Sequence, residues 1–207
     1  MKTSRGEMHI GIDFDNTIVT YDSVFHKYAL ELGLISPEVE KNKQAIRDAI
    51  RMLPEGNDRW TELQGIIYGS RMDEAEIFEG VGDFLCKCRQ MSAKVSVISH
   101  KTIYPALGPR VNLQEAAKKW IEARSFYSEF GLSEDDVVFE ETLAGKLSQI
   151  SGRRCTHFMD DLPEVLLHPD FPPDVERILY TKTAVKGISQ KLLHFKNWDE
   201  IRKYFFG

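Results

Sequence analysis

Apolar residues along the chain follow two spacings: short continuous runs, and stretches in which they recur every three or four residues. The first run, Met8–Ile12, stops at once on acidic residues and reads as a strand. From Tyr21 to about Ala75 the spacing turns helical throughout. Phe25, Tyr28, Ala29 and Leu32 mark one helix, which Gly33 closes. Ser36 and Pro37 provide an N-cap and a first helical position, predicting a second helix over Pro37–Met52. Pro54-Glu55-Gly56-Asn57 is a turn, and Trp60, Leu63, Ile66 and Ile67 form the stripe of a third helix. No strand is expected here, so this stretch is a helical insertion of roughly 55 residues.

Beyond it, strands and helices alternate. The spacing predicts a helix over Phe78–Met91, a strand over Lys94–Ile98, and a long amphipathic helix over Leu113–Phe130 that Gly131 ends. Next come a strand over Asp136–Phe139, a helix over Leu143–Ile150, a strand over Thr156–Met159 and a short helix over Leu162–Leu167. A strand over Arg177–Tyr180 and a terminal helix over Trp198–Phe206 complete the series. Such alternation predicts an α/β fold: a doubly wound parallel sheet with helices on both faces. The expected division is a core from residues 1–20 and 77–207 and a helical domain from residues 21–76. Ligands of such sheets bind outside the carboxyl ends of the strands, so the residues following each strand carry the most information.

Composition narrows the picture. The 207 residues include 27 Lys and Arg against 32 Asp and Glu, a formal charge of −5 without a long basic run, which argues against broad nucleic-acid binding. Three cysteines, Cys86, Cys88 and Cys155, lack zinc-ligand spacing and read as buried thiols in a reducing compartment. Residues 1–7 are polar, without an apolar signal core, and no apolar run approaches the roughly 20 residues of a membrane helix. A cytoplasmic protein is expected.

Asp13 and Asp15 stand directly after the first strand, in Gly11-Ile12-Asp13-Phe14-Asp15-Asn16-Thr17. A spacing of two on extended backbone sends both carboxylates to one side, where they need a cation or a proton between them. Magnesium favours such oxygen donors. An acidic turn that caps the next helix is the competing explanation. Ser99 follows the second core strand, where its hydroxyl can bind a phosphate oxygen, and His100 stands beside it. Lys146 lies near the start of a helix and can offset negative charge, or else face solvent. Asp160 and Asp161 follow a fourth strand, as metal ligands or as a helix cap. Each residue has an ordinary explanation when taken singly. Together, at four strand ends, they supply a nucleophile, a proton donor, phosphate anchors and metal ligands.

This ordered set resembles the haloacid dehalogenase superfamily in its phosphatase branch, with a C1-type helical cap. Asp13-Phe14-Asp15-Asn16-Thr17 is similar to the family's first motif, Ser99 to its second-motif hydroxyl, Lys146 to its third-motif lysine, and Asp160-Asp161 to its closing acidic pair. Phe78-Glu79-Gly80-Val81 resembles the lead-in to the helix before the second motif. The resemblance implies that Asp13 attacks phosphorus, and that Asp15 protonates the leaving oxygen and then deprotonates water. It also implies Mg2+ held by Asp13, the Asp15 carbonyl, Asp160 and Asp161. Asn16, Thr17, Ser99, His100 and Lys146 are the expected substrate-binding residues, and the substrate class is a small phosphorylated metabolite. The insertion falls at the family's cap position, which implies that it closes over the site and selects substrate, with His26, Arg59 and Tyr68 as candidates. Met159 replaces the glycine that often precedes the closing pair.

Three other functions use similar parts. A phosphotransferase or mutase would share the aspartyl phosphate and need an acceptor pocket. A signalling receiver places its acidic pair first, whereas here an acidic pair closes the series. A phosphate-binding protein without turnover would keep the fold and the ligand alone.

Overall fold

The strand β1 (His9–Ile12) is buried along its whole length, because neighbours cover its edges and both its faces. It lies inside a six-stranded sheet with β4 (Lys94–His100), β5 (Val137–Glu140), β6 (His157–Asp160), β7 (Glu176–Tyr180) and β8 (Leu193–Phe195). The order is β5-β4-β1-β6-β7-β8, and every pair is parallel. The expected fold class, a parallel α/β sheet flanked by helices, is borne out. The computed structural model describes residues 7–182 and 192–207; the expectation for residues 1–6 lies outside them. Among the described residues, no helix is long and apolar enough to cross a membrane.

The chain moves outward from β1 through β4 to β5, then returns to the other flank of β1 for β6, β7 and β8. That reversal at β1 is the topological switch point at which such sheets bind ligands. Ile12 is level with Val97 and with Met159, so Asp13, Ser99 and Asp160 reach the same edge of the sheet.

Alternation along the strands feeds two hydrophobic layers. On one face, Ile98, Phe158 and Leu179 pack with Leu147 and Ile150 of α6 (Leu143–Gly152) and Val165 and Leu166 of α7 (Pro163–Leu166). On the other, Tyr180 meets Trp198 of α8 (Trp198–Phe206), which also packs on Phe84 of α4 (Val81–Gln90). Gly11 allows close approach across the sheet. A Cβ there would lie 2.6 Å from the Phe158 ring and 3.0 Å from Cys155 Sγ.

The chain divides into two compact units. One comprises residues 1–18, 77–101 and 125–207, the sheet and its helices; the other comprises residues 19–76 and 102–124. The short strands β2 (Val19–Thr20) and β3 (Glu76–Ile77) bracket the insertion. The second unit holds α1 (Asp22–Glu31), α2 (Lys43–Arg51), α3 (Gly56–Tyr68) and α5 (Leu113–Ala123). Phe25 stacks on Trp60 at 4.9 Å, and Tyr21 meets Tyr68 edge-on. Trp120 and Arg124 both donate to the Ala75 carbonyl, at 3.0 and 2.9 Å, which ties α5 to the insertion. Residues 102–124 therefore belong with the helices, although the sequence division leaves them in the core.

Four helices are shorter than predicted: α4 and α7 by a few terminal residues, α2 and α5 by much more. Helix α2 does not begin at Pro37: Asn42 is the N-cap and accepts from the Ala45 N–H at 2.8 Å. The long helix stops at Ala123, because Ser125 takes a left-handed φ of 62°. The chain changes units at that point. Strand β8, not expected from the sequence, adds an edge, while β4 runs on to His100.

Candidate active site

The Asp13 N–H donates to the Met159 carbonyl at 2.8 Å, continuing the β1–β6 ladder by one residue. Phe14 turns inward and packs edge-on against Phe139. Asn16 then takes φ 60°, a conformation that its short polar side chain tolerates. The chain thus folds over within four residues of the strand. Both aspartates stay at the sheet edge.

Asp13 is 4% exposed, and its Oδ1 accepts from Ser99 Oγ at 2.9 Å and from Lys146 Nζ at 2.6 Å. Lys146 also donates to Asp160 Oδ2 at 2.6 Å. Its place is set by the start of α6, where the Thr142 side chain caps the helix by accepting from the Gly145 N–H. Asp160 is wholly buried, and its Oδ1 accepts from the Leu162 N–H at 2.9 Å. Oxygens of Asp13, Asp160 and Asp161 lie within 4.8 Å of one another.

Burial, reinforced by the charge of Asp13, raises the Asp160 carboxyl well above the usual carboxylate range despite Lys146. Burial alone would lower Lys146. The adjacent charges of Asp13 and Asp160 outweigh it and hold the ammonium above the ordinary lysine value. Two buried carboxylates share a single ammonium. Lys146 keeps its charge, and the pair of acids is left one cation short.

The structure brings Asp13, Ser99, Lys146, Asp160 and Asp161 into one cluster from three strand ends and the start of α6, although Lys146 is 133 residues from Asp13. Other expected residues sit differently. The Thr17 hydroxyl is fully buried without a hydrogen-bond partner among the described residues, and the Thr17 carbonyl accepts from Trp198 Nε1 at 3.1 Å. His100 is exposed, with its ring nitrogen 3.0 Å from the Glu141 carbonyl, apart from the cluster. In the helical unit, His26 bonds the Val39 carbonyl and Tyr68 packs on Tyr21 and Phe25, so both have structural partners there.

Sequence reasoning missed Lys101. Its side chain is 4% exposed, and its Nζ lies 3.1 and 2.8 Å from the two oxygens of Asp15. The signal was present: Lys101 stands two residues after Ser99, on the same side of an extended chain.

The donor set suits magnesium. The cluster is all oxygen on the acidic side, and its three carboxyl groups (Asp13, Asp160, Asp161) outnumber the one ammonium, Lys146, set among them.

No model of a protein family matches the chain, and no curated protein matches its sequence. Solved structures match nearly its whole length. A HAD-superfamily hydrolase of subfamily IA, variant 1, from Geobacter sulfurreducens PCA superposes with TM-score 0.61 at 13% identity, covering 98% of this chain and 99% of its own. A HAD-superfamily hydrolase from Ehrlichia chaffeensis gives TM-score 0.56 at 14% identity, covering 95% and 94%. A predicted phosphoglycolate phosphatase from Haemophilus somnus 129PT gives 0.56 at 12%, covering 96% and 97%. The chain has the fold of the haloacid dehalogenase-superfamily hydrolases.

Proposed function

We propose that this chain, with its haloacid dehalogenase fold, is a phosphohydrolase that cleaves a small phosphomonoester through an aspartyl phosphate on Asp13. The observation that carries this is the double anchoring of Asp13. Ser99 and Lys146 both donate to Oδ1, which fixes the carboxylate plane and presents Oδ2 as the nucleophile. In the first half-reaction Oδ2 attacks phosphorus, the P–O ester bond breaks, and a protonated Asp15 supplies the proton to the leaving oxygen. In the second, ionised Asp15 takes a proton from water as the water oxygen attacks the same phosphorus, releasing orthophosphate and restoring Asp13. Lys146, which has a third proton to donate, holds a phosphoryl oxygen during both halves, and Ser99 does so when its hydroxyl turns from Asp13.

Asp13, Asp160, Asp161 and the Asp15 carbonyl are the residues to hold Mg2+. When bound, the ion supplies charge neutralisation to an anionic substrate in an acidic site. The helical unit is the proposed selector of substrate. The similar Haemophilus somnus structure, described as a predicted phosphoglycolate phosphatase, agrees with phosphate ester chemistry.

The test is phosphate release from p-nitrophenyl phosphate in magnesium and in EDTA, by the wild type and by Asp13→Asn. The expected result is turnover that requires magnesium and is lost in the variant. Turnover that survives in Asp13→Asn overturns the proposal.

A further inference from the structure

Two buried lysines divide the acidic site between them. Lys146 pairs with Asp13 and Asp160, while Lys101 pairs with Asp15. We propose that Lys101 is a positioning residue, which holds the Asp15 carboxylate in place as the base of the second half-reaction. This rests on the phosphohydrolase reading above and extends it to a residue outside the motifs.

Three contacts help to fix Lys101. Its backbone N–H donates to the Glu140 carbonyl at 2.8 Å, carrying the β4–β5 ladder one residue past His100. Its ammonium lies 5.8 Å from the centre of the Phe14 ring, within cation–π range. Its Nζ spans both Asp15 oxygens, at 3.1 and 2.8 Å. A lysine side chain only 4% exposed is costly unless it is paired, and the pair here is with the residue assigned to general base work.

Position matters in this step because Asp15 must meet one water in line with the Asp13 phosphate. A misplacement of about 1 Å can cost on the order of a hundredfold. Asp15 itself sits on a turn, after Phe14 and before the left-handed Asn16, so its backbone alone does not fix its carboxylate. Lys101, rooted at the end of β4, adds a constraint on that carboxylate.

The consequence is confined to one half of the cycle. With p-nitrophenyl phosphate, the leaving group departs with little help from an acid, so formation of the aspartyl phosphate does not need a well-placed Asp15. Its hydrolysis does. In Lys101→Met, kcat on this ester should therefore fall about tenfold or more, with KM falling in parallel and kcat/KM kept. A burst of nitrophenolate should precede the steady state. Lys101→Arg, which can still reach the carboxylate, should recover much of kcat.

Equal loss in kcat and kcat/KM would overturn the proposal in favour of a structural role. A raised KM with unchanged kcat would overturn it in favour of substrate binding. A crystal structure of Lys101→Met decides the matter without turnover: the Asp15 carboxylate should leave its present position, and an unmoved carboxylate refutes the idea. Failure of the underlying reading looks different, as turnover in Asp13→Asn or no phosphate release by the wild type. In either event the crystal structure still judges Lys101.

Discussion

Replacing Lys146 with methionine is the sharpest perturbation of the charge cluster. Methionine fills the space of the lysine stem but removes the ammonium that bridges Asp13 and Asp160 at 2.6 Å each. The three side chains are 3%, 6% and 0% exposed, so water cannot take the place of the lost partner. Removing one member of such a buried group costs on the order of 3–5 kcal/mol, because charge is left uncompensated. The cost must depend on pH. Asp160 already has a raised pKa in the folded protein, from burial first and Asp13 second, and loses its compensating partner in the variant. A carboxyl whose folded pKa is raised contributes stability below its unfolded pKa and loses it as pH climbs through the folded value. At pH 5 folded Lys146→Met can hold a proton on Asp160 and so escape much of the repulsion; at pH 8 taking up the same proton costs more, and the deficit grows. Urea unfolding of both proteins in EDTA, at pH 5 and pH 8, measures the difference, and magnesium should narrow the gap at pH 8. A deficit below about 1 kcal/mol at pH 8, or one larger at pH 5 than at pH 8, would refute an electrostatic role of this kind.

Two further outcomes follow from packing. Gly11→Ala sets a methyl group against the Phe158 ring in the middle of the sheet and should destabilise by about 1–3 kcal/mol, measured by urea unfolding; a neutral effect would mean that the ring moves aside freely. Burial pushes the Cys88 thiol up to about 12 and Cys155 up to about 11, whereas Cys86 is only half-buried. A thiol reagent at pH 8 should therefore modify Cys86 in the native protein, and reach Cys88 and Cys155 only after denaturation.

Much of the fold was legible because strands buried on both faces write themselves as short apolar runs, as in His9–Ile12 and Phe158–Met159. The errors have local causes. Ser36 and Pro37 imitate a helix start, but the side chain that caps the backbone belongs to Asn42. Phe126 and Phe130 carry a four-residue spacing past Ala123, so periodicity alone could not show the break at Ser125. Leu193–Phe195 is too short and too evenly half-buried to show alternation. At the site, the residues at strand ends were visible, since Asp13, Ser99 and Asp160 each follow an apolar run. What spacing could not reveal was pairing. That Lys146 meets Asp13 and that Lys101 meets Asp15 depends on the register of β1, β4 and β6 and on the start of α6, none of which is written in any single segment.

The central claim, that phosphate passes through Asp13, is tested most directly by trapping the intermediate. The wild type and Asp15→Asn would be mixed with p-nitrophenyl phosphate and magnesium, quenched in acid, reduced with borohydride and mapped by mass spectrometry. Asp15→Asn should accumulate the acyl phosphate, because the ester's good leaving group allows it to form while its hydrolysis lacks a base. The reduced residue should map to Asp13. A reduced residue elsewhere, or turnover by the wild type with no reduced aspartate in either protein, would contradict the mechanism.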